Sequence, residues 1–402
     1  MRIVVAPDSF KGSLSAAEVA RALARGLGRA LPGAEVLCCP VADGGEGTAE
    51  VLCLNTGGRM VERTVTGPLG EPVRARFAVL GDRETAVVEI AAASGLPLVP
   101  PARRDPRMTT SYGTGELIVA AIAGGCRRVM VALGGSATVD GGLGMLEALG
   151  FRHLDASGQP VPRGGRGLGQ VATALRPEGS VLSSGPAGGV EFLAACDVDN
   201  PLVGEHGAAR VYGPQKGASP EMVEELDRGL AHLAAVWKRD WGVEVADLPG
   251  AGAAGGAGAA LAAALGAPLL SGARLVIEYS GLEERVREAD LVITGEGRMD
   301  FQTRRGKAPA AVAAAARQAG VPVVAVCGSL AASPEELAEM GIVAALSVTE
   351  GPTTLAESMA RAAELLERTG ERLGKLLQLG GSLAHGPARA CHRHRRLVRS
   401  GG

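Results

Sequence analysis

Aromatic side chains are nearly absent from this chain. Phe, Trp and Tyr together make up 2% of its 402 residues, which removes the stacking platforms used by single-stranded nucleic-acid binders. Histidine is scarce as well. His153, His206, His232, His385, His392 and His394 are the full set, and none stands at a zinc-binding spacing. The seven cysteines, at 38, 39, 53, 126, 196, 327 and 391, form no C-x-x-C pair; they read as small buried hydrophobes in a reducing compartment. The formal net charge of −2 offers no broad basic surface for nucleic acid. No long apolar run survives inspection either: the Ala/Gly stretch 250–267 is cut by its glycines and by Pro268, so no membrane span is expected. Arg2-Ile-Val-Val-Ala6 follows Met1 with no h-region or cleavage site, so a cytoplasmic location is expected. A G-x-S-x-G elbow, a full phosphate-loop pattern and a G-x-G-x-x-G after the first strand are all missing. Their absence disfavours an α/β-hydrolase, a Walker-type NTPase and a nicotinamide enzyme.

What is abundant is glycine, 60 residues, in a chain that is 46% apolar. The glycines cluster at the ends of apolar runs, where they suit tight turns and close approach of backbone to ligand. The length exceeds one ordinary core, so two domains are expected. Residues 2–7 and 35–41 read as buried strands. A helix capped by Ser13 or Ser15 runs between them to about 29, and a second helix covers 47–55. Closely spaced strand candidates follow at 58–66, 73–80 and 85–91. The middle of the chain offers helices at 113–124, 141–149, 220–237 and 256–265, strands at 128–133 and 192–196, and a Gly/Pro-rich loop over 157–190. From about 282 a regular βα alternation returns: strands at 290–294, 322–327 and 342–347, helices at 308–319, 334–340 and 355–377. The expected fold is α/β with two domains. Residues 1–68 and 282–380 form a flavodoxin-like doubly wound parallel sheet carrying a large inserted α/β domain of residues 69–281. Residues 381–402, with Arg389, Arg393, Arg395, Arg396 and Arg399, are expected to be a disordered basic tail.

The most informative pattern is an apolar strand that runs into carboxylates. It occurs at Leu193 to Cys196, followed by Asp197, Asp199 and Asn200. It recurs at Val5-Ala-Pro-Asp8 with Ser9 and Lys11, at Pro40-Val-Ala-Asp43 with Gly44, Gly45 and Glu46, and at Leu291 to Thr294 with Glu296, Arg298 and Asp300. Several such strand ends imply one large polar cleft, and hard carboxylate oxygens suit Mg²⁺ beside a phosphorylated ligand. The turns Thr109 to Gly115, which includes Thr114, and Gly134-Gly135-Ser136-Ala137-Thr138 offer hydroxyls and backbone N–H groups to an anion.

These segments resemble the glycerate kinase type-1 family. The resemblance is carried by Ala6-Pro-Asp-Ser-Phe-Lys11, Pro40 to Thr48, Ala91-Ala-Ala-Ser-Gly-Leu96, Tyr112 to Leu117, Gly134 to Thr138, Ala195 to Pro201, Tyr212-Gly-Pro-Gln-Lys216, Gly250 to Gly256 and Ile293 to Gly297 with Asp300, in order over about residues 1–376. It implies an ATP- and Mg²⁺-dependent kinase that phosphorylates D-glycerate to 2-phosphoglycerate, with 3-phosphoglycerate as the other regiochemistry. It also implies a monomer or homodimer that binds neither nucleic acid nor membrane. Kinases for another small hydroxy acid, and an inactive phosphate-binding regulator, are the competing readings; the intact carboxylates disfavour the second. Under the resemblance Asp197, Lys11 and Asp43 are the catalytic candidates. Asp43, Asp197 and Asp300 are the metal candidates. Asp8, Ser9, Gly44, Gly45, Thr114, Gly134, Gly135, Ser136, Asp199, Asn200, Lys216, Glu296 and Arg298 would hold substrate or nucleotide phosphate. Two departures stand out: Val139 replaces the family's Asn, and Arg304 and Arg305 differ from the usual form.

Because residues 381–402 have no periodic apolar face, their deletion is expected to leave melting temperature and kcat/KM unchanged. A truncated protein that melts several degrees lower, or loses most turnover, would show that the tail docks on the body.

Overall fold

The structure is a computed structural model that describes residues 1–177, 189–300, 303 and 307–385. Its strands, in chain order, are β1 (Arg2–Pro7), β2 (Glu35–Cys38), β3 (Arg59–Thr66), β4 (Pro72–Val79), β5 (Thr85–Glu89), β6 (Arg128–Ala132), β7 (Arg152–Leu154) and β8 (Thr173–Leu175). They continue as β9 (Glu191–Ala195), β10 (Leu269–Leu270), β11 (Leu291–Gly295), β12 (Arg298–Met299), β13 (Val323–Cys327), β14 (Ser329–Leu330) and β15 (Ala344–Ser347).

Two sheets organise the molecule. The first has order β15-β13-β11-β1-β2 and every pairing in it is parallel. The second has order β10-β9-β6-β5-β4-β3. Here β5, β6, β9 and β10 run parallel, while β4 is antiparallel to both β3 and β5. Side-chain alternation decides which layer each strand feeds. Ile3 and Val5 enter an apolar layer with the helices Ala16–Ala30 and Ala362–His385, whereas Val4 and Ala6 face the other way. That second layer also receives Val87, Met130 and Leu193 from the second sheet, together with the helices Thr48–Thr56, Gly272–Ser280 and Ala308–Gln318. The opposite face of the second sheet (Val88, Val129, Val131, Ala194) builds the remaining core. The two sheets therefore share one helical layer.

Several expectations change. The boundary at 68 would leave residues 59–66 with the first sheet, but β3 pairs with β4 along eight residues of the second. The intervening hairpin is short, so the ladder assigns the strand. The stretch 157–190 is not wholly loop: it contains β8, which pairs antiparallel with β7 just before it. The closing helix breaks at Arg361 into Leu355–Ala360 and Ala362–His385, and the second piece runs past 380 into the expected tail. Residues 386–402, and with them most of that tail, lie outside the described residues, as do Arg304 and Arg305. Both tryptophans are structural: Trp237 and Trp241 stack 5.4 Å apart, and the Trp237 indole N–H donates to His153 Nε2. Val139 is fully buried in the core, so an apolar contact stands where the resemblance implies an amide. Among the described residues no helix is long and apolar enough to cross a membrane.

The first and last helices cross at glycine. A Cβ on Gly26 would lie 1.9 Å from the Glu367 carbonyl oxygen, and one on Gly370 would lie 2.5 Å from that of Leu23. Gly28, one turn position away on the exposed side, would meet nothing within 4 Å. Identical substitutions there should have opposite signs. Gly26→Ala forces the backbones apart and is expected to destabilise by ~1–3 kcal/mol. Gly28→Ala should stabilise by about 0.5–1 kcal/mol through the unfolded chain. Thermal melts of the two variants check this; a Gly26→Ala protein as stable as the parent would contradict the packing.

Candidate functional site

In a parallel sheet every strand delivers its carboxyl end to the same edge, and ligands bind there. In this molecule the carboxyl edges of both sheets border one cleft of about 830 Å³. The first sheet contributes Asp8, Ser9 and Lys11 beyond β1, and the segment Val41–Gly47 beyond β2. The second contributes Glu89 at the end of β5, Leu133 to Gly135 beyond β6, and Asp197 with Val198 beyond β9. Met60, Glu62, Arg74 and Arg76, on one face of the β3–β4 hairpin, close a further wall.

The segment after β2 crosses to the second sheet through bare backbone. A Cβ on Gly44 would sit 2.4 Å from the Gly272 Cα, and one on Gly134 would sit 2.7 Å from the Gly45 Cα. No side chain fits at these contacts. Gly44 also holds φ +90°, a conformation that favours glycine. Within the loop, Asp43 Oδ1 accepts the Gly45 N–H at 3.1 Å and Asp43 Oδ2 accepts Lys11 Nζ at 3.2 Å. Asp197 Oδ1 accepts the Gly272 N–H at 2.9 Å and the Ser271 hydroxyl at 3.4 Å.

Packing carboxylates together at a buried edge perturbs their protonation. Burial, reinforced by the nearby Asp43 charge, pushes Asp8 up to about 7 and Asp197 up to about 6. Burial likewise pushes Glu89 up to about 7. The Asp43 charge draws the Lys11 ammonium above its ordinary value.

Asp8, Ser9, Lys11, Asp43, Gly44, Gly45, Gly134, Gly135 and Asp197 are thus brought together. Asp199 and Asn200 lie next door, in a smaller cavity of about 530 Å³ that shares Asp197 and Val198 with the cleft. Glu296 is buried behind Asp8, where it accepts the Thr303 hydroxyl at 2.6 Å and Lys307 Nζ at 3.4 Å. Arg298 is exposed and pairs with Asp300 at 3.2 Å. Thr114, Ser136 and Lys216 are likewise absent from the cleft lining. Thr114 is buried, with its hydroxyl 2.9 Å from that of Ser94. Lys216, also buried, donates to Ser136 Oγ at 2.9 Å and to the Thr138 carbonyl at 2.7 Å. Lys216 and Ser136 thereby brace the Gly134–Gly135 turn from behind.

The metal candidates are not assembled as a set. Asp43 and Asp197 share the cleft, while Asp300 is held by Arg298. Among the described residues no group of three His, Cys, Asp or Glu could hold a metal ion alone. The donors that do line the cleft are carboxylate oxygens, and Mg²⁺ is commonly held by one or two of these together with phosphate oxygens. The residues fit that arrangement.

Sequence reasoning missed Glu89, Asp140 and the hairpin wall. Glu89 sits inside an apolar run, Val87-Val-Glu-Ile90, and follows the same strand-end rule that singled out Asp8 and Asp197. Asp140 is fully buried and accepts the Ser111 N–H and hydroxyl, both at 2.8 Å, tying two glycine-rich turns together. The alternation Arg74-Ala-Arg76 was the available signal for two same-face arginines.

Asp8 makes a stability prediction. Its ordinary value is 3.8 and its folded value about 7. Between these pH values the folded protein binds a proton that the unfolded chain releases, so this group's contribution falls as pH rises from about 4 to about 7. Asp8→Asn should therefore raise the melting temperature by a few degrees at pH 8 and by nothing near pH 4, while lowering activity. Melts across this range test it; an equal gain at both ends would refute the assignment.

The chain matches the model of the Glycerate kinase family over residues 3–378. It is 48% identical over 383 residues to a glycerate kinase of Bacillus subtilis strain 168, covering 95% of this chain and 99% of the relative. It is 47% identical over 387 residues to a glycerate 2-kinase of Escherichia coli K12, covering 94% and 99% respectively. A Salmonella typhimurium LT2 crystal structure, provisionally assigned as glycerate kinase 2, superposes with a TM-score of 0.84 at 46% identity, covering 95% of this chain and 99% of that one. Matches of this extent show that the chain belongs to the glycerate kinase family.

Proposed function

We propose that this protein carries out the ATP-dependent phosphorylation of glycerate in the cleft between its two sheets, with Asp197 as general base and 2-phosphoglycerate as product. The observation that carries the reading is the placement of Asp197. It follows β9 into the cleft, and hydrogen bonds from Ser271 and Gly272 fix its orientation. Its affinity for protons is raised to about 6, so it is ionised at neutral pH yet more basic than an ordinary carboxylate.

Asp197 takes the proton of the attacking hydroxyl as the new O–P bond forms and the bond from the γ-phosphorus to the bridging oxygen of ADP breaks. Lys11 offers the charge that an anionic ligand requires, and Asp43 holds it toward the cleft. The Gly44–Gly45 and Gly134–Gly135 backbones line the cleft, where a phosphate could meet main-chain N–H groups. Mg²⁺ bound with the nucleotide would screen its phosphate charge, with Asp43 as the cleft carboxylate able to hold it. Catalysis is then positioning and charge stabilisation.

The strand order β2-β1-β11-β13-β15 supports a flavodoxin-like doubly wound first domain. The second sheet, beginning at β3, would be the inserted domain. The six described cysteines are free thiols, which supports a reducing, cytoplasmic setting.

Asp197→Asn keeps the shape and removes the proton acceptor. Turnover should fall about 10²–10⁴-fold with nucleotide affinity nearly kept. In the parent, kcat/KM should decline as pH falls through about 6, because the base of the free enzyme must be deprotonated; the variant's residual rate should lose that limb. Turnover within about threefold of the parent would remove Asp197 from the role. Phosphorus NMR of the product formed from D-glycerate fixes the hydroxyl used.

A further inference from the structure

We propose that Glu89 is a positioning residue for phosphoryl transfer: from the end of β5 it grips the first turn of the helix Thr48–Thr56 and thereby holds the Asp43 loop at its working distance from Asp197. The inference rests on the reading of the cleft as the active site.

Three observations carry it. First, Glu89 belongs to the second sheet, but its partner does not. Its Oε1 accepts the Ala49 N–H at 2.7 Å, in the helix that directly follows the loop Asp43–Gly47. That N–H is among the first-turn donors that a helix cannot satisfy internally. The helix cap, Gly47, has no side chain that could satisfy one either. Glu89 supplies the missing acceptor from across the cleft. Second, the loop is already pressed against the second sheet at Gly272 and at Gly134, both by backbone contact. Those contacts limit how near the loop can come and exert no pull. The Glu89 bond supplies the pull. Third, the same loop carries Asp43, which holds Lys11, while Gly272 donates to Asp197. Displacing the loop would move the carboxylate and ammonium of one sheet relative to the base on the other. A misplacement of about 1 Å can reduce a rate by about 100-fold.

The contact requires an acceptor at full reach and does not require a charge. That separates positioning from direct catalysis. Glu89→Gln keeps the length and an acceptor oxygen; Glu89→Asp keeps the charge and is one methylene short. The full-length variants are assayed with D-glycerate, ATP and Mg²⁺ after melts confirm folding. Positioning predicts that Glu89→Asp loses about tenfold or more in kcat, as supporting residues around a site commonly do, with Glu89→Gln at least fivefold faster than Glu89→Asp. A smaller difference, or the reverse order, overturns the proposal, since the carboxylate itself would then be the functional group. Should Glu89→Asp fail to fold, Glu89→Gln decides alone: kcat within about fivefold of the parent supports positioning, and a larger loss overturns it. Amide exchange at Ala49 gives a reading free of turnover: protection kept in Glu89→Gln supports the grip, and protection lost there overturns it. A parent that does not phosphorylate glycerate would fail the reading of the cleft, whereas the Ala49 exchange would still judge Glu89.

Discussion

The backbone contact between Gly44 and Gly272, seconded by that between Gly134 and Gly45, sets the geometry on which the rest of the cleft depends. It fixes how closely the carboxyl edge of one sheet can approach the other. With hydrogen in place of every Cβ, two main chains meet at a separation that no other residue allows. Asp43 is then held within the Coulombic range that raises Asp8 and Asp197. A methyl group in that gap would separate the carboxylates and relax the shifts in their protonation. The abundance of glycine in the sequence is thus partly a statement about the spacing of two sheets.

Gathering carboxylates in this way opposes folding. Asp8, Asp197 and Glu89 are each pushed toward the neutral form by burial, and each is further raised by a neighbouring acid. The arrangement makes sense only for a site that receives cations with its ligand. Lys11 already answers Asp43, and Lys307 answers Glu296 at the buried flank. The surplus negative charge suits a divalent ion and would repel bare polyphosphate.

Legibility in the sequence followed the range of the interaction. Strand ends such as Val5 to Asp8 and Leu193 to Asp197 were readable because an apolar run stopping at an acid is a local pattern. Capping at Ser15, with Glu18 completing the box, was readable for the same reason. Lys216 entered only through the family resemblance, and the fold alone shows Ser136 and Thr138 enclosing it. β3 was assigned to the wrong sheet because ladder partners are chosen by tertiary geometry, and its own alternation fits either side. Glu89 was hidden by its surroundings: a single acid within Val87-Val-Glu-Ile90 reads as a strand residue until the Ala49 N–H appears opposite it.

These misreadings share a cause. Glu89, Lys216 and Asp140 each satisfy a backbone or hydroxyl group that belongs to a different segment of chain. A sequence shows which residues can touch ligand, because such residues stand at exposed turns. The residues that hold those turns in place are buried at a distance along the chain, and their partners are main-chain atoms with no sequence identity. A family motif conceals the distinction, since the residues that touch ligand and those that brace them recur side by side. In this protein Gly134 and Gly135 face the cleft, while Ser136, in the same motif, faces Lys216. One short motif thus serves two layers, and Val139 just beyond it falls in the buried layer, packed in the apolar core.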